Sequence, residues 1–334
     1  MSAITPLGID ISKKTFDVYL LNKPKGGRSH QFANTPEGFV QLEKWLERQK
    51  AKNLHACLEA TNIYGHGLAT FLVEQGYIVS IVNPARIKGY AQSQLSRTKN
   101  DRADAALIAR FCRDLQPSPW QPTPEILVEL QRMVRRWQAL EQMTTQEKNR
   151  LLLYENDPEL RGDIEAHLAF LQQQKESLKK RMDKQVQKDE NLATQKALLT
   201  SIPGIGEQTA TFLLAELGDV TRFTSARQLA AFAGLTPQER LSGTSLLGKT
   251  RLCKIGNCHL RKLMYFPALT AIRYCEPLQA FRQRLLDAGK TKMQAVGAIM
   301  HKLLRVVYGV LKSRRPFDPT LLTPQISFSE SLAF

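Results

Sequence analysis

Two acids in the first third of the chain lie on the apolar face of a predicted helix, where burying a carboxylate is energetically unfavourable. Asp101 and Asp104 are three residues apart in "KNDRADAALIAR", and the helical stripe that they begin continues through Ile108, Cys112 and Leu115. This spacing predicts a helix whose inward face carries both carboxylates. Like charges at this spacing repel each other, and burial increases the cost. The pattern therefore indicates that something else offsets the repulsion.

Two further acids interrupt apolar, strand-like runs. Asp10 stands in "LGIDIS" and Glu59 in "CLEAT", and neither has an obvious cation nearby in the sequence. Singly, each could be a turn acid or a salt-bridge partner. Together with Asp101 and Asp104 they make four carboxylates from three elements, which predicts a site for divalent cations. Mg²⁺ is the leading candidate, with Mn²⁺ as a substitute, and two such ions would suit in-line phosphoryl transfer.

The elements that must position these acids alternate between strand-like and helix-like segments over residues 1–124. Residues 7–12, 15–22 and 30–34 predict a β-hairpin followed by a third strand, and Thr35 with Pro36 marks the start of an amphipathic helix. A buried strand, a helix, another strand and a final helix follow. The order predicts a layered α/β domain with a mixed sheet.

Two helical zones follow the α/β domain. Residues 125–192 have near-heptad apolar spacing, which favours a two-helix hairpin or coiled-coil arm over an ordinary pair of bundle helices. Such an arm would mediate dimerisation. Residues 193–322 predict an all-α-rich C-terminal domain, and residues 323–334 a frayed tail.

Positive charge is the strongest compositional signal. The chain of 334 residues has a formal net charge of +16, and the segment 240–315 contains sixteen Lys or Arg residues against two acids. This imbalance favours nucleic-acid contact over a merely solvated basic face. The candidate contacts in and around this segment are Arg240, Lys249, Arg251, Lys254, Arg261 and Lys262.

Contacts to a phosphate backbone are also predicted outside that segment. Lys99 and Arg102 flank the acid pair and would meet the nucleic-acid backbone. The turn "SIPGIGEQTA" resembles a helix–hairpin–helix element, in which Gly204 and Gly206 would let a phosphate approach the following helix. A plain turn between helices would need the same glycines.

Several other classes of protein are disfavoured. The sequence contains no apolar run long enough for a membrane span and no secretory signal, so we expect a cytoplasmic protein without a membrane partner. The five scattered cysteines suit reduced thiols rather than a disulfide framework. Cys253, Cys258 and His259 fit no common zinc spacing.

The acid pattern resembles the RNase H-like, RuvC-type nuclease fold. Over about residues 7–318, the chain also resembles the DEDD transposases of the bridge-RNA-guided insertion sequences, whose relatives include the Piv-type DNA invertases. The segments that carry this resemblance are "GIDISKKTFDVYL", "CLEATNIYGHGLATFL", "VNPARIKGYAQSQLSRTKNDRADAALIARF", "SIPGIGEQTA", "FAGLTPQERLSGTSLLGKTRLCKIGNCHLRKLMY" and "HKLLRVVYGVLKS".

The resemblance implies roles for particular residues. Asp10, Glu59, Asp101 and Asp104 would be the metal-binding acids of the family, and Ser242 in "SGTS" the nucleophile that joins covalently to DNA. Taken alone, Ser242 reads as a loop serine or a helix cap, and Thr244 and Ser245 are its neighbouring competitors. Arg240 and Lys249 would hold the scissile phosphate.

The resemblance also implies the partners. They are double-stranded donor and target DNA, a non-coding bridge RNA that selects both by base pairing, and further copies of the chain in a dimer or tetramer. The chain departs from the family pattern at Leu241, Leu247 and Cys253, which leaves the fine contacts to DNA or RNA open.

Two alternatives to a transposase-recombinase stay open at this point. One is a metal-dependent nuclease or junction resolvase, which would use the four acids with water and no serine. The other is a nucleic-acid-binding protein whose catalytic site has decayed.

Overall fold

The computed structural model describes residues 4–23, 26–51, 53–60, 64–94, 101–154, 156–242 and 246–322, and leaves the side chains of residues 23, 101, 102 and 239–250 undescribed. The chain divides into two compact units, Met1–Pro122 and Thr123–Phe334. The predicted arm and the predicted C-terminal domain both fall within the second unit, so the three-domain division stays a prediction. The predicted tail and Lys99 lie outside the described residues.

The first unit alternates strands and helices as the sequence predicts, except that two helices rather than one follow its last strand. Its elements are β1 (Thr5–Ile11), β2 (Thr15–Lys23), β3 (Gly26–Ala33), α1 (Pro36–Arg48), β4 (Leu54–Glu59), α2 (His66–Glu74), β5 (Ile78–Val82), α3 (Pro84–Ser93) and α4 (Asp101–Leu115). The predicted start of α1 is confirmed: Thr35 accepts a hydrogen bond from the Gly38 amide, and Pro36 occupies the first turn.

The five strands form one mixed sheet in the order β3-β2-β1-β4-β5. β1, β2 and β3 pair antiparallel, whereas β4 lies parallel to both β1 and β5. The prediction of a mixed sheet is therefore confirmed. In this order β1 and β4 are neighbours in the middle of the sheet, and their carboxyl ends lie at the same edge.

Helices cover both faces of this sheet. One face packs on α1 and α2 through a core that includes Ile9, Phe16, Leu42, Leu58 and Leu68. The other packs on α3 and α4 through a second core of Cys57, Val82, Ile87, Leu107, Ile108, Phe111 and Cys112. The unit is thus a three-layer α/β/α arrangement.

The second unit is mostly helical. Its elements are α5 (Glu125–Leu151), α6 (Pro158–Gln187), α7 (Glu190–Thr200), α8 (Glu207–Leu217), α9 (Ala226–Phe232), β6 (Pro237–Ser242), β7 (Leu246–Leu252), α10 (Cys258–Leu263), α11 (Tyr265–Tyr274), α12 (Glu276–Asp287) and α13 (Lys292–Ser313), with 3-10 turns at Val220–Arg222 and Pro319–Leu322. None of the helices in the described parts of the two units is long and apolar enough to cross a bilayer.

The long helices α5 and α6 form an antiparallel hairpin. Gln185 donates a hydrogen bond to Glu129 near one end, and His167 lies 3.4 Å from Glu147 towards the other. Buried apolar residues at the predicted spacing fill the seam between the helices, among them Leu130, Val134, Leu171, Leu178 and Met182. The two-helix hairpin is therefore confirmed, while a coiled coil stays a prediction.

A small β-hairpin, β6–β7, interrupts the helices of the second unit. Its two antiparallel strands lie in a segment that the sequence reading assigned to an all-α-rich domain. The reason for the difference is that the segment is polar and glycine-containing, so it carries little of the alternating apolar pattern that predicts a strand.

Candidate active site

The face of the sheet that α4 covers carries Asp10 and Glu59. Gly8 marks this face on β1, because a Cβ placed there would lie 2.0 Å from the Ala105 carbonyl oxygen of α4. Cys57 marks it on β4, where it packs among the core residues of α3 and α4. Side chains alternate along a strand, so Asp10 and Glu59 share the face of the residues two positions before them.

The strand register brings these two acids to the same level of the sheet. Ile9 of β1 is aligned with Leu58 of parallel β4, which makes Asp10 and Glu59 the next aligned residues along the two strands. Both acids therefore lie at the carboxyl edge of the sheet, on neighbouring strands and on one face. Sequence reasoning named both residues without this register.

Helix α4 runs antiparallel to these strands and carries Asp104 towards the same edge. Its Cys112 thiol donates a hydrogen bond to the His55 carbonyl at 3.4 Å, while Ala105 lies against Gly8 further along the sheet. Four helical residues advance about 6 Å, close to the advance of about 6.6 Å made by two strand residues. The residues that precede Ala105 on α4 therefore lie at the level of the strand residues that follow Gly8. This places Asp104 near the level of Asp10.

Electrostatics connects Asp104 with Glu59 directly. Partial burial raises the pKa of Glu59, and the Asp104 carboxylate raises that pKa further. Both side chains are half-buried. The sequence predicts repulsion among these acids, and the structure places such repulsion between Glu59 of β4 and Asp104 of α4.

Asp101 is the first residue of α4, as predicted, but its side chain is not described. The side chains that the structure describes contain no group of three or more His, Cys, Asp or Glu able to hold a metal ion. The predicted inward stripe holds for Ile108 and Cys112, which are buried, but is wrong for Leu115, which is 50% exposed at the end of the helix.

The donor set at this edge nevertheless fits a hard divalent cation. Carboxylate oxygens are the ligands that Mg²⁺ and Mn²⁺ prefer. A cation between Glu59 and Asp104 would offset the repulsion that raises the Glu59 pKa.

Ser242 lies in the second unit, as the last residue of β6. Its backbone is aligned with Leu246 of β7. The reading of this serine as a loop residue or helix cap is therefore wrong, because the polar segment around it pairs as a β-hairpin. The side chains of Ser242, Arg240 and Lys249, together with the whole of Thr244 and Ser245, lie outside what the structure describes.

Backbone hydrogen bonds fix the base of this β-hairpin. The Cys253 amide donates to the Thr236 carbonyl at 2.9 Å, and the Lys254 amide donates to the Gly234 carbonyl at 3.1 Å. The Arg261 guanidinium donates to the Ala233 carbonyl at 2.9 Å. Arg261, a predicted nucleic-acid contact, thus uses at least one of its N–H donors in a hydrogen bond within the fold.

The remaining predicted nucleic-acid contacts differ in their surroundings. Arg251, Lys254 and Lys262 are exposed, whereas the Arg102 side chain is not described. Gly204 has a φ of +90°, and a Cβ there would lie 2.4 Å from the Pro267 carbonyl oxygen. The fold alone therefore requires Gly204, whereas Gly206 faces open space at the start of α8.

Sequence reasoning missed one buried charge near the serine-bearing hairpin. Glu216, 3% exposed on α8, pairs with Arg135 of α5 at 2.9 Å and accepts a hydrogen bond from Asn257 at 3.0 Å. Asn257 caps α10 just after β7. The signal was available, since Glu216 is a lone acid in the otherwise apolar run "TATFLLAEL".

Comparison with known proteins identifies the class. A DEDD transposase family model of the IS110 type matches residues 7–153, and a second, described as "Transposase IS116/IS110/IS902 family", matches residues 196–283. The chain is 33% identical over 323 residues to the "Pilin gene-inverting protein" of Moraxella lacunata, covering 94% of this chain and 98% of the relative. It is 24% identical to a "Probable family 20 transposase" of Pseudomonas aeruginosa, over 95% of this chain and 99% of the relative.

These matches define an enzyme of DNA transposition and recombination. The chain belongs to the IS110/IS116 family of transposases. The DEDD domain of this family implies the use of a divalent metal ion, in agreement with the acids at the edge of the sheet.

Proposed function

We propose that this transposase cleaves and rejoins DNA through a covalent phosphoserine link formed by Ser242. The observation that supports the metal-binding half of this proposal is that Glu59 of β4 and Asp104 of α4 interact electrostatically at the sheet edge where the register also places Asp10. The strand order and the covering helix α4 support an RNase H-like, RuvC-type assignment for the first unit.

The acids supply the metal-binding half of the proposed site. Asp10, Glu59, Asp101 and Asp104 would hold Mg²⁺, or Mn²⁺ in its place, with room in principle for two ions. The bound metal supplies charge stabilisation for the phosphate during transfer. The carboxylates themselves orient the cation site and exclude other anions from it.

Ser242 supplies the nucleophile. Its hydroxyl oxygen forms a bond to the phosphorus of a phosphodiester while the bond from phosphorus to one deoxyribose oxygen breaks. The serine proton leaves, and the departing sugar oxygen takes up a proton. The phosphodiester energy is conserved in the serine ester, so a sugar hydroxyl from another strand can reverse the step without ATP. Arg240 and Lys249 would hold the phosphate.

The partners belong to the same proposal. Donor and target duplexes would be chosen by base pairing to a non-coding bridge RNA, while the chain contacts the backbones through its basic residues. The printed name of the Moraxella relatives, a pilin gene-inverting protein, supports DNA rearrangement as the activity of this chain. The cytoplasm is the proposed compartment.

The helical hairpin α5–α6 has the length and apolar seam of a coiled-coil arm, which we propose joins copies of the chain in a dimer or tetramer. In such an assembly, Ser242 would attack a phosphate held at the metal-binding acids of the same copy or of another copy. The arm and the basic C-terminal segment would then act as separate functional domains, as the three-part division of the sequence predicts.

The test compares single substitutions within one short segment. Ser242→Ala, Thr244→Ala and Ser245→Ala are each incubated with substrate DNA, its copurified RNA and Mg²⁺, and the products are separated in denaturing gels with and without protease. Only Ser242→Ala should lose both strand cleavage and the protease-sensitive protein–DNA adduct. Thr244→Ala and Ser245→Ala are matched controls that remove neighbouring hydroxyls.

The result also decides between the proposal and the nuclease alternative. Cleavage that survives in Ser242→Ala, without an adduct in the unmodified protein, would favour attack by water. Sequencing the RNA that copurifies with the protein tests the guide, because its loops should match the DNA that flanks the element.

A further inference from the structure

A groove of about 400 Å³ lies between α5 and α6 of the helical hairpin. Four cations line it: Arg132 from α5, Arg181 and Lys184 from α6, and Lys188, the residue after α6 ends. Arg181, Lys184 and Lys188 are spaced three and four apart, and the backbone of Lys188 is still helical, so the three residues form one stripe. The groove is therefore a row of positive charge on a rigid element.

The floor beneath the groove is fixed by apolar packing. Leu130 and Val134 of α5 are buried together with Met182 and Val186 of α6 in one core cluster. The backbones that carry the cations consequently hold a constant spacing. A pre-formed groove of this kind loses little conformational entropy when a ligand binds.

The positive charge of the groove is poorly neutralised from within. Its one acid, Glu129, accepts a hydrogen bond from Gln185, and Arg132 makes only an exposed contact of 3.4 Å with Glu125. Arg181 and Lys184 make no ion pair with any residue that the structure describes. The groove therefore suits an extended polyanion.

The lining selects among polyanions. All of its residues are described, and none is aromatic, so no ring is available on which unpaired bases could stack. Arg and Lys side chains along a helix instead fit the phosphates of a paired backbone. DNA is the polymer on which this family of enzymes acts. All of α6, moreover, lies in the interval between the two matched ranges, 7–153 and 196–283.

We propose that the groove formed by Arg132, Arg181, Lys184 and Lys188 binds the phosphodiester backbone of duplex DNA. The hairpin α5–α6 then has a second role besides joining copies of the chain. The contact is independent of DNA sequence and adds to affinity rather than to the choice of target.

The test measures binding of the full-length protein to a mixed-sequence duplex by fluorescence anisotropy over a range of salt concentrations. Arg181→Gln/Lys184→Gln should weaken binding on the order of 10- to 100-fold near 0.1 M salt and reduce the slope of log K against log salt by about 1.8. Arg132→Gln/Lys188→Gln, at the other two cations of the groove, should do the same.

The matched control is Lys148→Gln/Lys179→Gln, which removes two exposed lysines from the same two helices but outside the groove lining. This control should change affinity less than about threefold. Far-UV circular dichroism checks that all variants keep their helix content.

Equal losses in groove and control variants would overturn the proposal, because general charge alone would then explain the binding. An unchanged salt slope in both groove variants would overturn it as well. So would a loss confined to an RNA duplex of the same sequence with DNA binding intact.

Discussion

Partial burial raises the pKa of Glu59 at the end of β4, and the Asp104 carboxylate on α4 raises that pKa further. The two carboxylates interact because α4 packs closely on the sheet. The α4 backbone lies so near Gly8 that a methyl group on Gly8 would not fit between them. The charge interaction at the candidate metal site is therefore a consequence of close helix-to-strand packing one turn away. Packing and site chemistry can be separated experimentally by changing one residue at a time.

Glu59→Gln should have opposite effects on stability with and without metal. In chelator-treated buffer the variant should melt at or slightly above the wild-type temperature, because a buried repulsion is relieved. With Mg²⁺ at 100 times its dissociation constant, the wild-type protein should gain about 2.7 kcal/mol and the variant almost none. Differential scanning calorimetry measures both conditions.

Glu47→Gln is the control for this prediction, since it removes an exposed acid from α1 on the opposite face of the sheet. It should retain the full response to Mg²⁺. A Glu59→Gln protein that is still stabilised by Mg²⁺ like the wild type would show that this carboxylate is not a metal ligand.

Gly8→Ala should displace α4 from the sheet. The added Cβ would lie 2.0 Å from the Ala105 carbonyl oxygen and 2.3 Å from the Ala109 amide, and both are backbone atoms that cannot rotate away. We expect a loss of about 3 kcal/mol or more in the free energy of unfolding, at the upper end of overpacking costs. Hydrogen exchange measured on peptides from residues 101–115 should accelerate.

Gly89→Ala provides a control of opposite sign. Gly89 is exposed within α3, and a Cβ there meets nothing within 4 Å. The substitution should leave exchange in α4 unchanged and stabilise α3 by up to about 1 kcal/mol. Normal protection of residues 101–115 in Gly8→Ala would contradict the packing described for β1 and α4.

These contacts also show how far the sequence could predict the structure. The strands of the first unit and the helix that begins at Asp101 follow from periodicity and capping signals that act within a few residues. The acids stood out because Asp10 and Glu59 interrupt apolar runs. What no local pattern contained was the register of β1 against β4, which depends on pairing between distant segments.

The errors have the same origin. The β6–β7 hairpin that carries Ser242 covers a polar segment, so the apolar alternation that reveals other strands is weak there. The packing need for Gly204 could not be predicted because Pro267 of α11 lies far along the chain, and the phosphate contact of Gly204 stays a prediction. Leu115 fits the helical stripe by spacing, yet it ends the helix where no neighbouring element covers it.

Removing one partner of the buried Arg135–Glu216 pair should lower the free energy of unfolding more than replacing both partners with apolar residues. Glu216→Ala leaves a partly buried guanidinium and the Asn257 amide without their acceptor, so we expect a loss of about 3–5 kcal/mol. Arg135→Met/Glu216→Leu should recover much of that loss, because no uncompensated charge remains. Urea unfolding of the wild type, Arg135→Met, Glu216→Leu and the double variant, which are the four corners of one double-mutant cycle, measures the coupling, and Glu216→Ala is measured beside them.

Glu165→Ala is the matched control, because Glu165 pairs with Arg161 at 2.9 Å with both side chains about half exposed. Its loss should stay below about 1 kcal/mol. A Glu216→Ala protein as stable as Glu165→Ala would show that α5, α8 and the cap of α10 do not depend on this pair.

Stability of the second unit should fall as the solution becomes mildly acidic. Burial lowers the pKa of His301 on α13 below its usual value of 6.5, and Arg305 lowers it further. Burial also lowers the pKa of His259 on α10, with Arg135 and Lys262 acting in the same direction and Glu216 opposing them. Below pH 6.5 the unfolded chain therefore binds more protons than the folded chain, and the free energy of unfolding decreases as the pH falls.

Substitutions at His301 and Arg305 should separate burial from charge in this pH dependence. His301→Gln removes the whole contribution of this residue, so its loss of stability between pH 7.5 and 5 should be smaller than that of the wild type. Arg305→Gln removes only the repulsion between Arg305 and protonated His301. Its stability should therefore change with pH less than that of the wild type and more than that of His301→Gln. Urea unfolding followed by hydrogen exchange in peptides from residues 292–313 measures each slope. A His301→Gln protein whose slope equals that of the wild type would show that this histidine is not held neutral by the fold.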